Sequence, residues 1–310
     1  MADNNNHKHT PNANGNYYSN KNNKYNNYNK YNHKQQKGNN NRQQNNAQSN
    51  KTANPSNANI GWLFYRDYYN GIENKSSSEL KEHFHNKNER IVNSIYNSNI
   101  NKKISNSLSS LSSFELEVCP PGLLIGSGLL HGVPGEGDFQ LGLQFDHSTG
   151  LPILPGSSIK GVLRSMFPMD EKDPKRDEKK AYIKSLLLQN LEEDDVEKLG
   201  NYLFNHEVCE ETGVKFPVFM DAIIVKGNES NKILGSDYIT PHKEEFRDPV
   251  PIQFLKVLPG VKFKFFFSIP QNIEIGKLKL SQEIITNLFQ SILKDVGIGA
   301  KTNVGYGHLK

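Results

Sequence analysis

Between Ser281 and Val296, seven apolar residues recur at steps of three and four: Ile284, Ile285, Leu288, Phe289, Ile292, Leu293 and Val296. That spacing draws one apolar stripe along a helix and demands a surface to bury it against. Gly297 follows directly, where a left-handed residue ends a helix. A second stretch has the same character. In Leu151-Pro-Ile-Leu-Pro-Gly-Ser-Ser-Ile-Lys-Gly-Val-Leu-Arg-Ser-Met-Phe167, the prolines and Gly156 stop an extended run. Ile159, Val162, Leu163, Met166 and Phe167 then fall at helical spacing. Ser157 and Ser158 are expected to cap this helix.

The segments around these helices read as strands. Phe114–Val118 and 139–145 alternate, and Phe216–Val225 is an apolar run broken by Asp221. Pro251–Leu258 and Val261–Ile269 are split by Pro259-Gly260, which predicts a hairpin between them. Asp237–His242 reads as a turn-rich segment and Ser105–Ser113 as a Ser-rich linker. Helices are expected over about 78–96, 178–190 and 193–205, with 169–180 as an exposed loop. Strand–helix–strand–strand–helix–strand is the resulting order. It predicts an α+β fold with a ferredoxin-like core, RRM-like in outline, carrying helical insertions.

Composition matters where order begins. Residues 1–59 are rich in Asn, Gln, Lys and Tyr with almost no aliphatic side chains. They are expected to form a disordered low-complexity tail. Eight basic residues stand there against Asp3 alone, a balance of +7, while the whole chain carries +4. Residues 60–310 therefore sum to about −3, so contact with nucleic acid must use a local patch or backbone amides. The aromatic cluster from Ile60 to Asn70 marks the start of order. The expected division is a tail over 1–59, a helical extension over 60–113 and the core domain over 114–310. No apolar run reaches the roughly 20 residues of a membrane span. Cys119 and Cys209 are too few for a disulfide framework. A cytoplasmic location is the expectation, with no membrane partner.

Catalytic signatures fail on context. Ser157-x-x-Lys160, Ser236-Asp237 and Lys301-Thr302 approach the set of penicillin-binding enzymes, but the second and third elements depart from it. Gly299-Ala-Lys301-Thr302 approaches a phosphate loop, but it follows a helix instead of opening one. His131, Asp138, Asp146, His147, His242 and Asp248 offer metal-ligand chemistry without a zinc or two-metal spacing. No metal and no cofactor are expected. Asp221 is an isolated acid, more ordinary at a strand end than in catalysis. Phosphate chemistry fits better. A helix opening at Ser157 and Ser158 presents free amides, and Lys160 and Arg164, four apart, add charge. An ordinary capped amphipathic helix with two solvated cations has the same pattern.

Five motifs together resemble the RAMP superfamily of CRISPR proteins. Gly150–Arg164 resembles its central signature, and Gly297-Ile-Gly-Ala-Lys-Thr-Asn-Val-Gly-Tyr-Gly307 its closing glycine-rich loop. Phe219–Ala222, Asp237–His242 and Pro251–Lys256 stand between them and resemble one subunit type of the type III-B (Cmr) effector. The resemblance implies a non-catalytic, RNA-binding subunit of that ribonucleoprotein in antiviral defence. CRISPR RNA, target RNA and the backbone and small subunits are the implied partners. Its RNA-binding surface is expected to combine Ser157, Ser158, Lys160 and Arg164 with Gly299, Lys301, Thr302 and Gly305. The alternative is a metal-dependent or acid–base endoribonuclease of the same superfamily that processes CRISPR RNA, with His308 or His131 as general base.

Overall fold

The helix over 282–296 forms because its apolar stripe has a sheet to cover. In the computed structural model, Ser281 Oγ accepts the Ile284 amide at 3.3 Å and opens helix α7 (Gln282–Val296). Ile285, Leu288, Phe289, Ile292 and Leu293 are buried along it, each contributing about 1.5–3 kcal/mol of transfer free energy. Gly297, at φ 69°, ends the helix by donating its amide to the Leu293 carbonyl. The structure describes residues 59–125, 137–139, 143–187, 191–192, 194–205, 215–239, 251–275 and 278–310. The tail expected to be disordered lies outside them, except Asn59, whose side chain accepts the Trp62 amide and caps α1 (Ile60–Tyr65).

Helices and antiparallel strands mix along the chain. After α1 come α2 (Ser77–Val92), α3 (Asn99–Ser107), β1 (Ser112–Glu117), β2 (Ile153–Leu154) and α4 (Gly156–Ser165). Next are α5 (Arg176–Leu187), α6 (Asp195–Gly200), β3 (Val218–Phe219), β4 (Ala222–Lys226), β5 (Leu234–Ile239) and β6 (Ile252–Val257). The last strands before α7 are β7 (Lys262–Ser268), β8 (Asn272–Ile275) and β9 (Leu278–Ser281). This is an α+β architecture. Among the described residues no helix is long and apolar enough to cross a membrane.

β7 is the spine of the main sheet. β1 pairs one edge of it, from Ser112 opposite Phe267 to Glu117 opposite Lys262. β3 and then β4 pair the other edge, and β2 pairs β4. The last residues add to the free edge of β1: Glu117 and Lys310 exchange amide–carbonyl bonds of 2.9 and 3.0 Å. β7 alternates from Lys262 to Phe265, and the buried Phe266 then breaks the pattern on the lysine face. Phe263, Phe265 and Phe267 are buried, and Phe267 meets Phe289 of α7 at 5.2 Å. Lys262 and Lys264 point the other way, where Lys264 Nζ reaches Ser105 of α3 at 3.1 Å. α7 therefore covers one face and α3 part of the other.

The register gives the sheet two distinct ends. Ser112, Ser268 and Val218 lie at one, and Glu117, Lys262 and Lys226 at the other. Six strand residues separate them by roughly 17–20 Å.

Four expectations are corrected. β6 does not pair with β7 across Pro259-Gly260; it pairs with β5 in a separate two-stranded sheet. The bond pair between Val257 and Leu123, 2.8 and 3.0 Å, continues from β6 along the Pro120–Leu124 segment instead. Asp237, expected in a turn, lies inside β5. Helix α3 and the start of β1 occupy much of the Ser105–Ser113 linker. The single strand expected over 216–225 is two, broken at Met220 and Asp221.

Candidate nucleic-acid interface

At the first end, β2 delivers the chain to α4. Gly156 passes so near β3 that a Cβ would lie 2.2 Å from the Phe219 carbonyl oxygen, so only glycine fits. Its amide donates to Asp221 Oδ1 at 2.7 Å. The positive end of α4 is thus met by a carboxylate of the same chain, placed by the break between β3 and β4. The N-cap position is Pro155, and the Ser158 amide bonds back to the Pro155 carbonyl at 2.9 Å. Ser157 and Ser158 are not the caps: they lie within the first turn, the former exposed and the latter half-buried. Lys160 Nζ stands 5.8 Å from the Phe219 ring centre, and Arg164 is exposed, with Nη2 3.5 Å from Asn205 Oδ1.

The opposite end carries the glycine-rich loop. The Ile298 amide donates to the Gly307 carbonyl at 2.9 Å, Gly307 to Gly122 at 2.8 Å and Ala300 to Leu124 at 2.7 Å. A Cβ on Gly299 would sit 2.2 Å from the Leu124 oxygen, and one on Gly307 would sit 2.0 Å from the Ile298 oxygen. These glycines allow backbone to press on backbone. The loop beyond them stays accessible: Lys301 is exposed in left-handed backbone at φ 60°, Thr302 opens a short helical turn, and Val304 is 68% exposed. Gly305, at φ 98°, ends that turn.

Beside this loop is a cluster that the sequence-based surface omits. Lys256 Nζ approaches Asp237 Oδ2 at 2.6 Å, and the Tyr306 hydroxyl donates to the same oxygen at 2.8 Å. Burial alone would raise the Asp237 pKa, but the bonds from Lys256 and Tyr306 outweigh it and hold the carboxyl below its ordinary range. Burial, and then the bond to Asp237, pushes the Tyr306 hydroxyl up to about 12. The signal for this cluster was present in the motifs. Asp237, Lys256 and Tyr306 each come from a different one.

The five motifs therefore separate into two groups. Gly150–Arg164 and Phe219–Ala222 meet at the α4 end through Gly156 and Asp221. The Asp237, Lys256 and glycine-rich segments meet at the other. Among the described residues no hydrogen bond or ion pair joins Ser157, Ser158, Lys160 or Arg164 to Gly299, Lys301, Thr302 or Gly305. Ser157 and Ser158 thus lie in the first turn of α4, and Gly299, Lys301, Thr302 and Gly305 lie in the closing loop.

Asp146 Oδ1 accepts the Ser148 and Thr149 amides at 3.1 and 2.6 Å, holding a turn. Asp138 is buried, and His147 and His308 are exposed. His131, His242, Asp248, Cys209, Gly126 and Gly128 lie outside the described residues. Among the described residues no group of three or more His, Cys, Asp or Glu could hold a metal ion.

The RAMP superfamily model matches residues 115–310. Over 173 residues the chain is 30% identical to the CRISPR system CMR subunit Cmr6 of Saccharolobus solfataricus, covering 54% of this chain and 48% of that protein. Over 227 residues it is 26% identical to the Cmr6 subunit of Pyrococcus furiosus, covering 59% and 65%. The matches thus span about half to two thirds of these relatives' length. A chain in the structure of the type III-B Cmr-beta complex bound to cognate target RNA shares the fold, with a TM-score of 0.52 at 19% identity over 83% of this chain and 91% of that one.

Proposed function

From the premise that the chain belongs to the RAMP superfamily, we propose that it is a non-catalytic subunit of a type III-B (Cmr) effector. In this reading it holds the backbone of guide and target RNA and docks on neighbouring subunits. The similarity to two Cmr6 subunits carries it. The core is read as ferredoxin-like. The support is the spatial order 308–310, β1, β7, β4, with α4 and α7 as the two connecting helices.

The closing-loop end is the surface assigned to RNA. Its backbone is held by Gly122 and Leu124, so Lys301 and Thr302 are presented on a fixed support. Such a loop grips phosphate without reading bases, which suits a guide whose sequence varies. A non-catalytic role is supported by the engagement of Asp146, Asp221 and Asp237 in a turn, a helix end and a Lys–Tyr cluster.

Co-expression of the tagged chain with the other effector subunits and a guide RNA tests the reading. Recovery of a complex containing this chain and protected RNA is expected. A complex that assembles and protects its RNA equally well without it overturns the proposal. The same purified chain, incubated with repeat RNA with and without EDTA, is expected to leave the RNA intact.

A further inference from the structure

On the sheet face turned away from α7, two lysines oppose each other. Lys226 of β4 and Lys262 of β7 are register partners, and both line one groove of about 460 Å³ beneath α3. Like charges directly opposite across strands are destabilising. Glu117 offsets them in part: Lys310 first, and then Lys262 and Lys226, hold its carboxyl below the ordinary range. Glu117 lies 3.8 Å from Lys262 but binds Lys310 more closely, at 3.0 Å. Lys226 has no ion pair among the described residues.

Helix α3 supplies the opposite wall and adds to the imbalance. Lys102, Ser105 and Asn106 line the groove together with Ser98, the residue before its first turn. Steps of four, seven and eight from Ser98 put all of them on one helix face. The helix Asn99–Ser107 contains two lysines and no acid. Glu115 is the acid that lines the groove among the described residues. Three lysines against Glu115 leave the lining cationic, with Glu117 beside Lys262 and polar groups of Ser98, Ser105, Asn106 and Asn231 among its walls. α3 is held over the sheet by Asn101, whose Nδ2 donates to the Ile224 carbonyl at 2.6 Å. Tyr96 donates to the same carbonyl at 2.7 Å. The register shift between Ile224 and Lys226 lies at this point of β4.

We infer that this groove is a second anion site, built to take the phosphodiester backbone of a single-stranded nucleic acid between Lys102, Lys226 and Lys262. A phosphate between Lys226 and Lys262 turns their repulsion into two attractions, and the α3 hydroxyls and amides donate to the flanking oxygens. The site is distinct from the closing loop and rests on the proposed function only for RNA as the probe.

The test is fluorescence anisotropy of the full chain with a labelled 12-nucleotide oligouridylate, from 50 to 200 mM salt. Lys226→Ala/Lys262→Ala is expected to weaken binding and lower the salt slope by roughly 1.4, about 0.7 for each lost phosphate contact. Its melting temperature should stay nearly level, since removal of the like-charge pair offsets loss of the long Lys262–Glu117 contact. Lys279→Ala, remote in a different strand pair, is expected to match the wild type. Unchanged affinity and slope in the double variant, with Lys301→Ala still impaired, overturn the groove and leave the closing-loop reading standing. Absence of oligouridylate binding by the wild type at 50 mM salt overturns both. If a deca-glutamate peptide binds with the same lysine dependence while the RNA does not, the occupant is an acidic peptide and the nucleic-acid assignment falls.

Discussion

The two ends of the main sheet use similar parts differently. Each has a glycine pressed against backbone, a carboxylate in a close bond and lysines nearby. At the α4 end the carboxylate of Asp221 meets the helix amide itself, and Lys160 stands near the Phe219 ring. The positive helix terminus is already answered from within the chain. At the closing-loop end Asp237 is answered by Lys256 and Tyr306, while Lys301 remains exposed in the same loop. A helix N-terminus next to serines and cations is therefore not by itself a phosphate site. What decides it is whether another segment already supplies the anion.

Packing gives the sharpest break between the ends. Gly156→Ala puts a Cβ 2.2 Å from the Phe219 oxygen and is expected to cost about 3 kcal/mol or more, read as a fall in denaturation midpoint. Gly161, five residues along α4, has open space around it, and Gly161→Ala should stabilise by up to about 1 kcal/mol. If both alanines behave alike, the joint between α4 and β3 is looser than described. Asp221→Ala removes the carboxylate from the α4 amide and is expected to cost about 1–2 kcal/mol. Its RNA affinity should not change. A marked rise in affinity would show that Asp221 was excluding phosphate from a usable site.

How far these features were legible depended on how local they are. α7 was readable because its stripe, its Ser281 cap and its Gly297 stop are all contained in one short stretch. The cap of α4 was not, because Asp221 lies 65 positions from Gly156 and the adjacent serines offered a local substitute. Pro259-Gly260 is a genuine turn, yet no hairpin follows. The partner of β6 was decided by β5 and by the Leu123 bridge, neither of which a dipeptide encodes. The site followed the same rule. The motifs held Asp221, Asp237, Lys256 and Tyr306, but motif order does not say which end of a sheet each reaches. Asp237 and Tyr306 are 69 positions apart, yet the Tyr306 hydroxyl donates to the Asp237 carboxylate.

The Asp237 cluster predicts a pH signature of its own. Tyr306→Phe removes the hydroxyl that donates to Asp237 and is expected to cost about 1 kcal/mol near neutral pH. Tyr306 keeps its proton to about pH 12 when folded, against an ordinary value of 10.0. Its contribution is therefore full below pH 10 and declines as pH rises from 10 towards 12. Asp237 works in the other direction. Its lowered carboxyl stabilises above the ordinary carboxylate range and loses that contribution as pH falls through its folded value. Melting of wild type and Tyr306→Phe between pH 9 and 12 checks the first sign. A gap that widens with pH would mean that the hydroxyl does not hold its proton against Asp237.

The smallest expected effects separate the two ends most directly. Lys160 and Lys301 are both lysines of the expected phosphate surface, yet their surroundings differ. Lys160 Nζ lies over the Phe219 ring at 5.8 Å, a contact worth about 0.5–1 kcal/mol at a partly exposed site. Lys160→Ala should therefore lower stability slightly and leave the salt dependence of RNA binding alone. Lys301 is exposed, and its left-handed backbone is no more comfortable for alanine than for lysine. Lys301→Ala should leave the melting temperature nearly unchanged and lower the salt slope by roughly 0.7, one phosphate contact on a single strand. Thermal melting and salt-dependent anisotropy of the two variants, measured side by side, place each lysine on one axis. Should Lys160→Ala lower the slope while Lys301→Ala does not, the assignment of RNA to the closing-loop end is reversed, and the Asp221–Gly156 joint must open to admit phosphate.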